Sequence, residues 1–193
     1  MFHSLALCLL DRYDYRRVAA DLDEAIKFSR AAVELCIPGQ PKHDLSVGIL
    51  TFGLRVRFQE LATICDLEEE IVLHRAALEL HPPGDPLQSS LLQSLALCLS
   101  DRYDHGTVVT DLDDAIKFSR TAVELCPPGH SEHDSSVDIL SLCLVDRFRE
   151  LATIRDLEEA IELRREALEL HPPGDPVRSS LLQSFALFLF YRY

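Results

Sequence analysis

The ten residues ALELHPPGDP occupy positions 77–86, and the same ten letters return at 167–176. A catalytic site needs one copy of each group, whereas a structure assembled from like units needs several. Looser copies stand midway. Pro38-Gly39, Pro83-Gly84, Pro128-Gly129 and Pro173-Gly174 follow one another at a constant step of 45. The same step carries Arg12 to Arg57, Arg102, Arg147 and Arg192, and Asp21 to Asp66, Asp111 and Asp156. An unbroken period of about 20–50 residues marks stacked supersecondary units. Odd and even units differ in detail: DLDEAIKFSR at 21–30 matches DLDDAIKFSR at 111–120, while FQELATICDLEE at 58–69 matches FRELATIRDLEE at 148–159. The duplicated piece is therefore a pair of units.

Within the third unit, Leu92, Leu95, Leu99 and Tyr103 recur at spacings of three and four, which is one face of a helix, here helix A. Asp85-Pro86 supplies an N-cap and a first helical residue. A short connection is expected at DHGTVV, 104–109, after which Asp111 opens helix B with Asp114 three residues on. Asp21/Glu24, Asp66/Glu69 and Asp156/Glu159 repeat this capping-box spacing, and their charge suits the positive end of the helix dipole. Pro127-Pro128-Gly129 stops helix B, because proline cannot continue a helix and glycine accepts the exit geometry. The duplicated stretch is thus the end of one helix, a rigid turn and the start of the next.

Like turns repeated generate a superhelix of antiparallel helix pairs. The expectation is an all-α solenoid forming a single helical-repeat domain over 1–193. Its units are 1–40, 41–85, 86–130 and 131–175, followed by an unpaired last helix at 176–193. Phe185, Leu189 and Phe190 of that helix would be partly bare. This suggests either a fragment of a longer protein or self-association through the last helix.

Composition narrows the partners. Nineteen basic against 32 acidic residues give a net charge of −13. Nucleic acid and anionic lipid both need a cationic footprint, so neither is expected, and partners with basic segments are favoured. The most apolar run, LLQSFALFLFY at 181–191, is far shorter than the roughly 20 residues of a membrane span. No secretory leader is visible at the start. The six cysteines fall mostly inside repeat columns, where they trade places with Gly53, Phe188, His81 and His171. They read as free thiols of a cytoplasmic protein rather than a disulfide framework.

Small residues complete the pattern. Helix A carries Ala6, Thr51, Ala96, Ser141 and Ala186 in one column; helix B carries Ala32, Ala77, Ala122 and Ala167 in another. With Leu92, Leu95, Leu99, Ala115 and Pro127 in order, the chain resembles the tetratricopeptide repeat. More closely, it is similar to the long-period arrays of fungal proteins marked by R-x-AL-x-L-x-PPG and D-L-D/E-x-AI. The family unit is 34 residues; seven of the extra positions are expected in the A–B hairpin and four in the turn after Pro127. Glu70 interrupts the first alanine column of helix B, and the usual mid-helix aromatic is replaced by Ser119. The resemblance implies a right-handed superhelix and a non-catalytic protein–protein interaction scaffold that binds a peptide or helix on its concave face. It also implies an alternative. Such arrays accompany caspase-like CHAT or nucleotide-binding signalling domains, so the chain could be the sensor or oligomerisation segment of a larger enzyme.

The candidate partner-binding residues are Arg12, Arg57, Arg102, Arg147 and Arg192, a ladder near the end of every helix A that could grip carboxylates of a peptide. The competing reading pairs each with an acid of the adjacent helix, such as the Asp23/Glu68/Asp113/Glu158 column, or with carbonyls at the end of helix A. A second column, Arg30, Arg75, Arg120 and Arg165, stands four residues before Glu34, Glu79, Glu124 and Glu169 and reads as a solvated or inter-repeat face.

No metal or cofactor site is expected. Cys36, His81, Cys126 and His171 alternate two good ligand types, but equivalent positions of stacked units lie about 10 Å apart. Zinc needs its ligands at about 2.0–2.3 Å from one point. His130, His133 and Asp134 share a loop without a fourth partner, and the DLDE tracts lack the glycine and terminal glutamate of a calcium loop. No nucleophile elbow, phosphate-cradling loop or converging acid and base is present, so an enzyme is not expected.

Overall fold

The computed structural model describes residues 2–106, 108–130 and 132–192, and every regular element there is a helix. In chain order these are α1 (Phe2–Arg16), α2 (Ala19–Glu34), α3 (Pro41–Leu61), α4 (Ile64–Leu80), α5 (Gln88–Gly106), α6 (Val109–Leu125), α7 (His133–Leu151), α8 (Ile154–Leu170) and α9 (Arg178–Tyr191). The odd-numbered helices are the A helices of the repeat and the even-numbered ones the B helices. The chain divides into two compact units, Met1–Asp85 and Pro86–Tyr193.

In the first unit α1 packs on α2, α2 on α3 and α3 on α4, with α1 also touching α3. His3 Nε2 meets Ser46 Oγ at 2.8 Å near one end of the α1–α3 pair, and Arg17 donates to Glu60 at 3.2 Å near the other. These two A helices therefore run side by side in the same direction. The second unit repeats the scheme: α5, α6, α7, α8 and α9 pack in succession, and α5 also touches α7. There Gln93 donates to Ser136 at 2.5 Å and Tyr103 to Glu150 at 3.1 Å.

The link between helices A and B is tighter than the sequence suggested. α1 and α2, α3 and α4, and α7 and α8 are each separated by two residues. The first of the two, Arg17, Ala62 or Ala152, adopts φ of 53°, 51° or 52°. Its N–H bonds the carbonyl four residues back, at 2.6–2.7 Å, which closes the helix with a left-handed cap. Residues expected to enlarge the hairpin instead lengthen the helices, so that α3 has 21 residues and α8 has 17. In the third unit α5 continues through Asp104 to Gly106, and Thr107 lies outside the described residues.

The early start of helix B displaces the expected cap. The N-cap positions are Val18, Thr63, Val108 and Thr153, all extended and without a side-chain cap bond. Asp21, Asp66, Asp111 and Asp156 are the third residues of their helices. They keep the favourable position near the positive helix end but not the capping role. At the other corner the PPG turn behaves as expected: Gly84 and Gly174 take φ of 97° and 100°, a conformation that costs glycine little. α5 and α9 then begin at Gln88 and Arg178, two residues beyond the prolines expected to open them.

The small-residue columns form the packing surface, except at Ala186 of α9, which is exposed. Ala6, Ala96 and Ser141 are fully buried, and Ala32, Ala77, Ala122 and Ala167 are nearly so. Around them Leu10, Leu22, Ile26, Leu50 and Leu54 fill the first unit. Leu95, Leu99, Leu112, Ile116, Leu144 and Leu157 are fully buried in the second. At Gly53 an added Cβ would come within 3.0 Å of Ile26 Cγ1, so α3 approaches α2 closely at that point. Among the described residues no helix is long and apolar enough to cross a membrane.

Candidate functional site

The arginine column is built into the helical hairpins. Arg12 Nε and Nη2 donate to Asp21 Oδ2 and Oδ1 at 2.7 and 2.6 Å. Arg57 does the same to Asp66 at 2.7 and 2.6 Å. Arg102 binds Asp111 and Arg147 binds Asp156, each through two bonds of 2.7 Å. The four aspartates are almost completely buried, so these are bidentate, charge-assisted pairs at the A–B junction. The acid that clamps each arginine is the first Asp of the DLD/E motif.

Arg57 and Arg147 reach further. Arg57 Nη1 donates to Asp23 and Arg147 Nη1 to Asp113, both at 2.7 Å, and both acceptors belong to helix B of the preceding repeat. Bonding to Asp66 and to Asp156 raises these two guanidinium groups above their ordinary range. An incoming carboxylate would have to displace an aspartate already held by two short bonds. Arg192 differs from the rest: it is the exposed C-cap of α9, and its own N–H bonds carbonyls of the last turn.

The second arginine column also joins repeats. Arg30 binds Glu69 through two bonds of 2.8 and 2.5 Å, and Arg120 binds Glu159 at 3.1 and 2.6 Å. These are contacts between successive B helices, where the sequence pointed to Glu34 and Glu124 four residues along. Arg165 pairs with Glu162 at 2.6 Å, within its own helix.

The surface signal that sequence reasoning passed over is apolar. Leu7, Phe52, Leu97, Leu142 and Leu187 occupy one column of the repeat and are 44%, 58%, 42%, 51% and 47% exposed. Core leucines on the same helices, such as Leu54, Leu99 and Leu144, are fully buried, so the A helices carry a second apolar stripe that the fold does not use. The constant 45-residue step would have revealed it, had the column been compared with the helical face already assigned to the core. In the first unit Leu7 and Phe52 lie on the adjacent helices α1 and α3. In the second, Leu97 and Leu142 lie on α5 and α7.

Acids flank the stripe. One and two helical turns beyond Leu7 stand Asp11 and Asp14; beyond Leu97 stand Asp101 and Asp104; beyond Leu142 stands Asp146. Tyr103, Asp104, Asp146, Arg149 and Glu150 line a cavity of about 360 Å³ between α5 and α7. Burial, and then the charge of Asp104, holds the Asp146 carboxyl above its usual range, and Arg149 opposes the rise from 3.5 Å away. A cation brought to this cavity would relieve the repulsion.

At the even-numbered corners a histidine bridges two acids. His81 contacts Asp85 through Nδ1 at 3.0 Å and Asp44 through Nε2 at 3.4 Å. His171 contacts Asp175 and Asp134 at 3.1 Å each. Asp85 and Asp175 head the causes that raise the two imidazoles. Asp175 also accepts the Val177 N–H at 2.8 Å, which orders the entry to α9. The six cysteines are free thiols. Burial pushes the Cys143 thiol up to about 12, which makes it a core residue rather than a nucleophile. Compared with known proteins, the chain matches no family model and no curated protein.

Proposed function

We propose that the chain is a non-catalytic interaction scaffold of the tetratricopeptide-like class. Its helix pairs stack as a right-handed solenoid, and it binds a peptide or helix on the face formed by the A helices. The supporting observation is the half-exposed apolar column Leu7, Phe52, Leu97, Leu142 and Leu187, one residue per repeat, with acids beside Leu7, Leu97 and Leu142. An apolar stripe repeated at a constant interval suits the spaced apolar anchors of an amphipathic segment. The acids favour a segment that carries lysine or arginine, as does the net charge of −13. Arg12, Arg57, Arg102 and Arg147 are engaged in the hairpins by their aspartates and leave the primary contact with the partner to the apolar column.

The test uses the full chain and a library of amphipathic peptides that differ only in charge. Basic amphipathic peptides should bind more tightly than acidic ones of equal hydrophobicity. The paired substitution Leu97→Glu and Leu142→Glu should weaken binding while leaving the helical circular dichroism unchanged. Equal capture of acidic peptides, or binding indifferent to both substitutions, refutes the reading.

A further inference from the structure

We propose that the corner between α6 and α7 is a binding site for a borderline divalent metal ion, with zinc as the best fit, formed by Cys126, His130 and Glu132. One ligand atom of each residue lies within 4.8 Å of the other two. The three come from different parts of the turn. Cys126 is the C-cap of α6, His130 follows the PPG corner, and Glu132 is the N-cap of α7.

The surroundings orient the donors. Ser89 Oγ donates to Glu132 Oε2 at 2.7 Å, and Gln93 Nε2 donates to the Glu132 carbonyl at 3.1 Å. Cys126 Sγ stands 3.9 Å from the same Oε2, so thiol and carboxylate already face one another. The Glu132 N–H donates to His130 Nδ1 at 3.2 Å, which holds the imidazole beside Glu132. Outer-shell bonds of this kind fix ligand orientation at metal centres.

The donor set matches the ion. One sulfur, one imidazole and one carboxylate form a mixed set that suits zinc and its neighbours rather than magnesium or calcium. Tetrahedral zinc with bonds of about 2.0–2.3 Å places ligand atoms about 3.3–3.8 Å apart, with water in the fourth position. Separations of up to 4.8 Å need to contract by about 1 Å, whereas the Cys126–Glu132 pair at 3.9 Å is already close. Cys126 is fully buried and fixed, but His130 is exposed and Glu132 partly so, and these two can close. Binding displaces the thiol proton to solvent, since the thiolate is the ligand.

The sequence grouped His130 with His133 and Asp134 instead. His133 Nδ1 donates to the Cys126 carbonyl at 2.6 Å, and Asp134 is taken by His171. The pair that replaces them is also where the repeat departs from itself. The positions equivalent to His130 hold Gln40, Asp85 and Asp175, and those equivalent to Glu132 hold Lys42, Leu87 and Val177. Cys36, in the same column as Cys126, therefore has no such companions and provides an internal control.

The experiment titrates the reduced full chain with cobalt(II), whose thiolate charge-transfer absorption reports sulfur ligation directly. The expected result is saturation at one ion per chain, competed away by zinc. Cys126→Ser should abolish the absorption, and Cys36→Ser should leave it intact. His130→Ala and Glu132→Gln should each weaken binding by at least about tenfold. His130 is exposed, so its variant stays folded even if Cys126→Ser does not, as circular dichroism will show. Absorption that survives Cys126→Ser in a folded chain overturns the proposal. So does unchanged affinity in His130→Ala, or failure to saturate at millimolar cobalt.

Discussion

Replacing Asp156 with asparagine tests whether the arginine column is structural. The Asp156 carboxylate is 5% exposed and accepts two bonds of 2.7 Å from Arg147, which is itself 20% exposed. Breaking a fully buried ion pair by removing one partner costs about 3–5 kcal/mol, because the other charge is left uncompensated. Two features reduce that figure here. Arg147 keeps some contact with water, and Nη1 keeps its bond to Asp113. Losing one hydrogen bond to a charged group costs about 1.5–3 kcal/mol, so about 2–3 kcal/mol is expected for Asp156→Asn. Asp113 is 59% exposed, and Asp113→Asn should cost no more than about 1 kcal/mol. The apolar double variant Arg147→Met with Asp156→Leu should recover most of the loss, since no charge remains buried. Urea unfolding followed at 222 nm measures all three. If Asp156→Asn costs no more than Asp113→Asn, the clamp contributes little, and the guanidinium groups become available to a partner again.

Three further outcomes follow from the same geometry. Ala62→Gly and Ala152→Gly should each stabilise by about 0.5–1 kcal/mol, because alanine is held at positive φ where glycine is unstrained; unfolding midpoints that fall would refute this. Gly53→Val should destabilise by about 1–3 kcal/mol, since its Cβ would press on Ile26 with Leu10 close behind; an unchanged thermal midpoint would contradict the close approach of α3 and α2. His81 and His171 have folded pKa values raised above the unfolded value of about 6.5 by their paired acids. Their contribution is therefore complete below about pH 6.5 and is lost as pH rises through the folded pKa. Stability should fall across that window in the parent chain and fall less in the His81→Gln, His171→Gln variant, as urea midpoints measured at several pH values will reveal.

What was legible in the sequence was whatever the period exposes. The Pro-Gly corners, the helical faces and the small columns each repeat four or five times, and one physical cause explains each repetition. The details missed are those where two causes compete for one residue. Asp21, Asp66, Asp111 and Asp156 sit three residues before another acid, which is a capping signal. An arginine nine residues upstream, on the facing helix, takes the same carboxylate, and that contact is invisible to local spacing. The left-handed caps at Ala62 and Ala152 were hidden because alanine normally signals helix continuation. The exposed leucine column was overlooked for a different reason. A leucine inside a helical repeat reads as core, and only its angle relative to Leu54, Leu99 or Leu144 shows that it faces outward.

Departures from the repeat carry the complementary information. Glu70 replaces alanine in its column and is buried, which alone would be costly. Arg55, on the neighbouring helix α3, replaces the leucine, serine and valine found at its own equivalents, Leu10, Ser100 and Val145. The two meet at 3.1 Å, with His74 at 3.5 Å from the same carboxylate. At the next even-numbered repeat the arrangement is redrawn: Ala160 is restored, and Arg164 pairs with Asp138 and covers the Phe188 ring. A buried charge thus enters one helix only together with its counter-charge on the adjacent one. In both of these exchanges each charge faces its counter-charge across the helix pair. His130 and Glu132 beside Cys126 are another such departure, and there the counter-charge is the proposed metal ion.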